Sequence, residues 1–213
     1  MSGPAPDTLA PVEGHPRVVF LRPLAEGRAN VEVGDYAYYD DPAGERAFFE
    51  KNVLHHYDFV GDKLSIGRFA MIAADVKIMM NGATHAMSGF SAYPFNIFGS
   101  GWEEGFDPAT WEAENKGDTI IGADVWIGTE AMILPGARIG PGSIIGARSV
   151  VSGRWPSYSV IAGDPARQVR RRFPDAVCDA LERIAWWDWP AHKIGRNLNA
   201  IRGADVAALE QAT

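Results

Sequence analysis

The sequence of 213 residues holds one cysteine, Cys178, and no HxxxH, HxH or CxxC spacing, so a protein-bound metal is not expected. A lone cysteine cannot close an internal disulfide, which suits a reducing compartment and makes the cytoplasm the expected location. No apolar run reaches the roughly 18 residues that a membrane-spanning helix needs. Positive charge is scarce: 20 Lys and Arg against 27 Asp and Glu leave a net charge of -7. That balance argues against a nucleic-acid partner, because phosphate backbones demand clustered cations. GxSxG, Walker and GxGxxG patterns are also missing, and with them the loops and elbows they mark. The opening MSGPAPDTLAPVEGHP lacks the basic and apolar regions of a secretory leader and reads as a Pro-rich lead-in. What remains is ordinary globular usage, 46% hydrophobic and 22% charged, enough for one sizeable core and a single domain over residues 1–213.

What the chain does have is a period. From Ile120 to Gly153 an aliphatic residue recurs every six positions, at Ile121, Ile127, Ile133, Ile139, Ile145 and Val151. Six matches neither the 3.6 of a helix nor the two of a flat strand. Four positions after each aliphatic stands a small or β-branched residue: Val125, Ala131, Ala137, Ser143 and Ser149. An even offset puts both on one side of an extended segment. Each hexad then reads as a short strand and a bend, with glycines 122, 128, 140 and 146 expected to ease the backbone round the corner. Stacked units of this kind bury a continuous core, the logic of a β-solenoid. A β-sandwich is the alternative, but its turns keep no fixed six-residue register.

The same hexad appears earlier, with Ile66, Ile72 and Ile78 as core positions and Ala70 and Val76 as partners. It then stops until Ile121. The intervening segment, residues 81–118, is rich in Gly, Pro and aromatics and reads as an excursion from one face, where function concentrates. VEVGDYAYYDD is expected to form an irregular first coil and DPAGERAFFEKNVLHHYDFVGDK a second excursion, giving a solenoid over 31–163. Residues 174–210 change to a helical period: Val177, Leu181 and Ile184 share a face, Pro190 and Gly195 are expected to break the helix, and the segment is expected to cover the open solenoid end. Trp186, Trp187 and Trp189 read as packing residues.

His85, in MMNGATHAM where the coil opens into the excursion, can act as a general base, since imidazole titrates near neutral pH. Alone, such a histidine is more often a surface or packing residue. Arg167, Arg170, Arg171 and Arg172 in GDPARQVRRRF form either a solvated cationic run or a clamp on a phosphorylated small ligand.

GDTIIGADVWIGTEAMILPGARIGPGSIIGARSVV, followed by VIAGDPARQVRRRF and WWDWP, resembles the hexapeptide-repeat xenobiotic acetyltransferases. VEVGDYAYYD, IMMNGATHAM, YPFNIFGSGWE and KGDTIIG resemble, within them, the streptogramin A (virginiamycin) acetyltransferases. The similarity runs over roughly residues 15 to 200. It implies a mainly β fold, a left-handed parallel β-helix with a long excursion loop and C-terminal helices, although parallel crossovers are normally right-handed. It also implies a homotrimer with active sites between subunits, acetyl-CoA as co-substrate and a small hydroxylated acceptor. His85 matches the catalytic histidine. Coenzyme contacts carry over to Trp126, Thr129, Ala147, Ser152, Arg167 and Arg170. The family often has Thr-Lys or Val-Lys where this chain has Ser152 and Gly153, and Arg154 is read as taking the lysine's place. Acceptor contacts carry over to Tyr38, Tyr57, Asn81, Tyr93 and Phe95.

The chemistry these residues imply is direct acetyl transfer to a hydroxyl, with His85 taking its proton and no acyl-enzyme, since no nucleophile candidate is evident. The acceptors expected are a streptogramin A, chloramphenicol or another hydroxylated metabolite; a non-catalytic scaffold is the remaining alternative.

Overall fold

The computed structural model describes residues 3–43 and 46–212. Residues 1, 2, 44, 45 and 213, which the single-domain expectation includes, lie outside the described residues. The hexad becomes a three-sided coil. One face stacks Val31–Val33, Leu64–Ile66, Thr119–Ile121, Arg138–Ile139 and Arg154–Trp155. The next stacks Tyr38–Asp40, Met71–Ala73, Trp126–Ile127, Ile144–Ile145 and Ser159–Gly163, and the third Val53–Leu54, Lys77–Met79, Met132–Ile133 and Val150–Val151. All pairs within these three stacks are parallel.

Register explains the period. Tyr39, Ile72, Ile127, Ile145 and Ile161 stand directly above one another on the second face, and Val53, Ile78, Ile133 and Val151 on the third. Every core aliphatic from Ile121 to Val151 is at most 2% exposed, and the partners Val125, Ala131, Ala137, Ser143 and Ser149 are all at 0%. Each such isoleucine withdraws a side chain worth about 1.5–3 kcal/mol from water.

The corners differ from expectation in one respect. The left-handed backbone conformation falls three residues after the core aliphatic, at Tyr36, Phe69, Asp75, Asp124, Glu130 and Arg148 among others, and Gly122, Gly128, Gly140 and Gly146 do not adopt it. Those glycines answer to space. A Cβ on Gly140 would collide with the Ser157 nitrogen, and one on Gly128 would lie 2.6 Å from the Ala147 nitrogen. Coils stack too closely there for any side chain.

The segment from Val31 to Leu54 is a full coil, with α1 (Phe48–Lys51) inserted before its third strand. Residues 80–118 leave between the third face of one coil and the first face of the next, and carry α2 (Ala109–Glu112). The second face ends in antiparallel strands, Val18–Phe20 at one edge and Ala166–Arg171 at the other. The helices α3 (Asp175–Ile184), α4 (Ala191–Arg202) and α5 (Val206–Glu210) therefore do not cap an end. They lie along the corner between the first and second faces, where Trp186 meets the Phe69 ring at 5.3 Å and Tyr158, Ala123, Leu181 and Trp187 share a second core. Pro190 starts α4 as expected, but Gly195 sits inside it; the break falls at Ala185, which takes a left-handed conformation. Among the described residues no helix is long and apolar enough to cross a membrane.

Candidate active site

His85 leaves the solenoid four residues after Asn81, at the start of the excursion. Its Nδ1 lies 2.8 Å from the Ala92 carbonyl oxygen. A carbonyl only accepts, so Nδ1 carries the hydrogen and donates it. In the neutral ring Nε2 is then the basic nitrogen. The carbonyl is presented by a turn in which the Tyr93 amide donates to Ser91 Oγ at 3.1 Å.

The imidazole forms part of the wall of a cavity of about 410 Å³. Three segments build that wall: the corner carrying Tyr57, Phe59 and Val60, the outgoing stretch Asn81 to His85, and the loop with Pro94, Ile97, Pro108, Glu112 and Asn115. The Tyr57 and Phe59 rings stack at 5.4 Å with 4° between planes, both exposed. Apolar walls with a few polar groups suit an apolar molecule carrying a reactive hydroxyl. Tyr93 and Phe95 line an adjacent hollow of about 250 Å³ in the same loop, with Trp102 against both rings. Asn81 borders the main cavity but is 4% exposed, and its Nδ2 donates to Asp62 Oδ2 at 2.8 Å and to the Gly117 carbonyl at 2.9 Å. Those bonds hold the loop together and leave no amide hydrogen for a ligand.

The remaining candidate residues lie elsewhere on the chain. Tyr38, Met71, Trp126, Ile144 and Val160 form one outward row on the second face, and Arg170 pairs with Val160 at its end. Burial, and the charge of Asp40, push the Tyr38 hydroxyl above the usual phenol range, so it stays a hydrogen-bond donor. Thr129 and Ala147 sit one above the other at the adjoining corner, with the Arg148 amide donating to the Thr129 carbonyl at 2.9 Å. Trp126 is 49% exposed and Thr129 and Ala147 are exposed too. Ser152 and Arg154 occupy a different corner, between the third and first faces, on the side from which the excursion leaves.

The four arginines divide. Arg171 bonds Asp175 at 2.6 Å and the Ser157 carbonyl at 3.1 Å, while Arg172 bonds Asp124 at 3.4 Å and the Gly142 carbonyl at 2.6 Å. Among the described residues, Arg167 and Arg170 are exposed and meet backbone carbonyls and no carboxylate. Two such guanidinium groups fit phosphate groups. Among the described residues no three His, Cys, Asp or Glu side chains converge on a point that could hold a metal ion.

Sequence reading did not find Phe59, Ile97, Pro108 or Glu112 as cavity walls. Phe59, an aromatic two residues after Tyr57, and Ile97, inside the apolar YPFNIFG, carried a signal.

Residues 118–153 match the family model for the bacterial transferase hexapeptide (six repeats). A virginiamycin A acetyltransferase of Staphylococcus aureus is 41% identical over 209 residues, 98% of this chain and 93% of that protein. The chain belongs to the hexapeptide-repeat acetyltransferases. As a member of this family it is an acetyltransferase built on a left-handed parallel β-helix. A probable macrolide acetyltransferase of Lysinibacillus sphaericus is 47% identical over 163 residues, 76% of this chain and 89% of that protein. A chloramphenicol acetyltransferase of Escherichia coli is 36% identical over 183 residues, covering 84% and 86% of the two chains. Among solved structures, a Vibrio cholerae hexapeptide-repeat acetyltransferase complexed with acetyl coenzyme A matches with a TM-score of 0.44 and 20% identity, over 68% of this chain and 62% of that one.

Proposed function

We propose that this acetyltransferase uses acetyl-CoA to acetylate a hydroxyl of an apolar small molecule, a streptogramin A antibiotic first among acceptors, in the cytoplasm and as a homotrimer. The observation that carries the reading is the Nδ1–Ala92 hydrogen bond of His85, which leaves Nε2 as the base in a ring that borders the cavity. Acetyl-CoA supplies the thioester carbonyl. The chain's own residues do the rest: the stacked Tyr57 and Phe59 with Pro94, Ile97 and Pro108 exclude water and hold the acceptor. His85 Nε2 takes the hydroxyl proton as the new C–O bond forms, because an alcohol is too weakly acidic to attack unaided at neutral pH, and returns it to the CoA sulfur as the thioester C–S bond breaks. Tyr38, Tyr93 and Phe95 are further acceptor contacts, and Asn81 a wall of that site. Trp126, Thr129, Ala147, Ser152 and Arg154 line the coenzyme's path, with Arg167 and Arg170 on its phosphates.

The trimer reading rests on the separation just described. Tyr38 and Trp126 share an outward row that none of the cavity residues belongs to. A second subunit laid against the first can complete the site. The excursion offers it an apolar surface, with Phe90 fully exposed and Met87, Phe98 and Trp102 each more than half exposed.

The test is thiol release from acetyl-CoA with virginiamycin M1, a macrolide and chloramphenicol as parallel acceptors. The reading expects turnover with the streptogramin, and a loss of about 10²–10⁴-fold in His85→Ala, the usual contribution of a general base. Near-normal turnover in that variant would remove His85 from the role. Turnover with chloramphenicol alone would transfer the acceptor to the class named by the 36% identical relative.

A further inference from the structure

Beneath the cavity its three walls meet at one buried junction. The Asp62 side chain, in a residue only 2% exposed, accepts on Oδ2 from the Asn81 amide at 2.9 Å and from Asn81 Nδ2 at 2.8 Å. Asn81 Nδ2 also donates to the Gly117 carbonyl at 2.9 Å, and Asn81 Oδ1 accepts from the Lys116 amide at 2.7 Å. Two further bonds reinforce the joint: Asn115 Nδ2 reaches the Val60 carbonyl at 3.3 Å, and the Lys63 amide donates to Asp118 Oδ1 at 2.9 Å. The corner at 57–63, the outgoing stretch at 81–85 and the returning stretch at 115–118 are thereby tied together. Asp62 Oδ1, by contrast, is buried with no partner among the described residues. A half-satisfied buried carboxylate is costly, and a neutral acceptor would cost less, so its retention asks for a reason.

We propose that Asp62 and Asn81 are positioning residues for acetyl transfer: their clasp fixes the base of the excursion and so holds His85 in register with the acceptor walls. The inference rests on the reading of His85 as base. Neither residue touches the reacting atoms; both act through the four-residue lever from Asn81 to His85. The carboxylate is needed because charge-assisted bonds hold a loop root more firmly than neutral ones.

Exchanging the two side chains reverses the clasp in part. Asn81→Asp alone sets two carboxylates against each other and leaves the Gly117 carbonyl facing an oxygen. Adding Asp62→Asn restores a donor between the two side chains. Both bonds from position 81 end on the same Asp62 oxygen, so an amide nitrogen placed there to serve the new carboxylate no longer accepts from the backbone amide at position 81, while the carboxylate at 81 still accepts from the Lys116 amide. The backbone-amide bond and the Gly117 bond stay lost.

The experiment measures kcat and KM for Asn81→Asp, Asp62→Asn and the double variant in the full-length protein, well below each variant's Tm. It also records the His85 imidazole nitrogen shifts by NMR without ligands. The expected result is a kcat fall of about 100-fold in Asn81→Asp, the scale of a misplacement near 1 Å, with the acetyl-CoA KM unchanged. The double variant, which removes the repulsion between two carboxylates, is expected to recover part of it, and His85 to lose its Nδ1–H signature in the single variant and regain it in part in the double. A kcat within about twofold of wild type in Asn81→Asp, or a fall with the His85 signals unmoved, overturns the proposal. If the wild type itself releases no thiol, the functional reading has failed, and the imidazole signals alone still decide whether the clasp holds His85.

Discussion

Asp124 shows how one residue's charge depends on one neighbour. Burial raises its carboxyl above the usual carboxylate range, and Arg172, at 3.4 Å, works against that rise. Arg172 also lies over the Tyr158 and Phe173 rings, so it joins the solenoid corner to α3. A carboxyl raised in the folded state favours folding in its protonated form. That contribution is complete below the unfolded pKa and is lost as pH rises through the folded one. Removing Arg172 raises the folded pKa further and so widens the pH range, between the unfolded and folded values, over which stability falls as pH rises. Arg172→Met is therefore expected to cost about 1–3 kcal/mol at pH 7, the range for stranding a partly buried charge or hydrogen bond. The cost should shrink toward pH 5, as Asp124 takes up its proton. Urea denaturation of both proteins at the two pH values checks this, and a cost that grows on acidification would refute the assignment.

At the scale of the element, the repeat is a matter of how closely coils approach. Gly140 faces backbone, at the Ser157 nitrogen, whereas Gly146 faces the methyl of Ala162 at 3.1 Å. Backbone held by a parallel ladder cannot move aside. Gly140→Ala is expected to cost about 1–3 kcal/mol by overpacking, and Gly146→Ala less than about 1 kcal/mol, a difference that thermal unfolding of the two variants would resolve. The same geometry explains what could be read in advance. Ile121 through Val151 and their partners were legible because each hexad repeats one local environment. The glycines were legible as glycines but not for their reason, since interstrand clearance is a property of stacking and not of one strand. The coil from Val31 to Leu54 was partly hidden because α1 interrupts it and its last strand, Val53–Leu54, has two residues. Gly195 misled because a helix tolerates one glycine at a cost of about 1 kcal/mol when packing compensates, as burial of Ile194 beside it does here. In the site, His85 and Tyr57 stood out by type and place. Asp62 did not, because its partner is 19 residues away and only the coil brings them together.

For the whole molecule, the decisive matter is that the proposed base with its cavity and the proposed coenzyme row lie on different parts of one chain. If the trimer joins them, His85 with its cavity acts on material held against the neighbour's Trp126 row and its Arg167 and Arg170. Damage to the two halves then complements. A His85→Ala subunit retains an intact coenzyme row, and an Arg167→Ala/Arg170→Ala subunit retains an intact base. Mixed at random in equal amounts in a cyclic trimer, a wild-type base meets a wild-type row at about one interface in four. Co-expression of the two inactive variants is therefore expected to recover about a quarter of wild-type thiol release, in a species that light scattering reports at three times the chain mass. A site contained within one chain predicts no recovery at any mixing ratio, because every subunit then carries a defect in its own site. Phe90→Asp, on the fully exposed tip of the excursion, extends the argument: it should lower both the trimer fraction and the recovered activity while leaving the solenoid's unfolding transition in place. Loss of activity with the trimer intact would instead assign Phe90 to the acceptor, and recovery in the mixture with only monomer present would rule out the shared site.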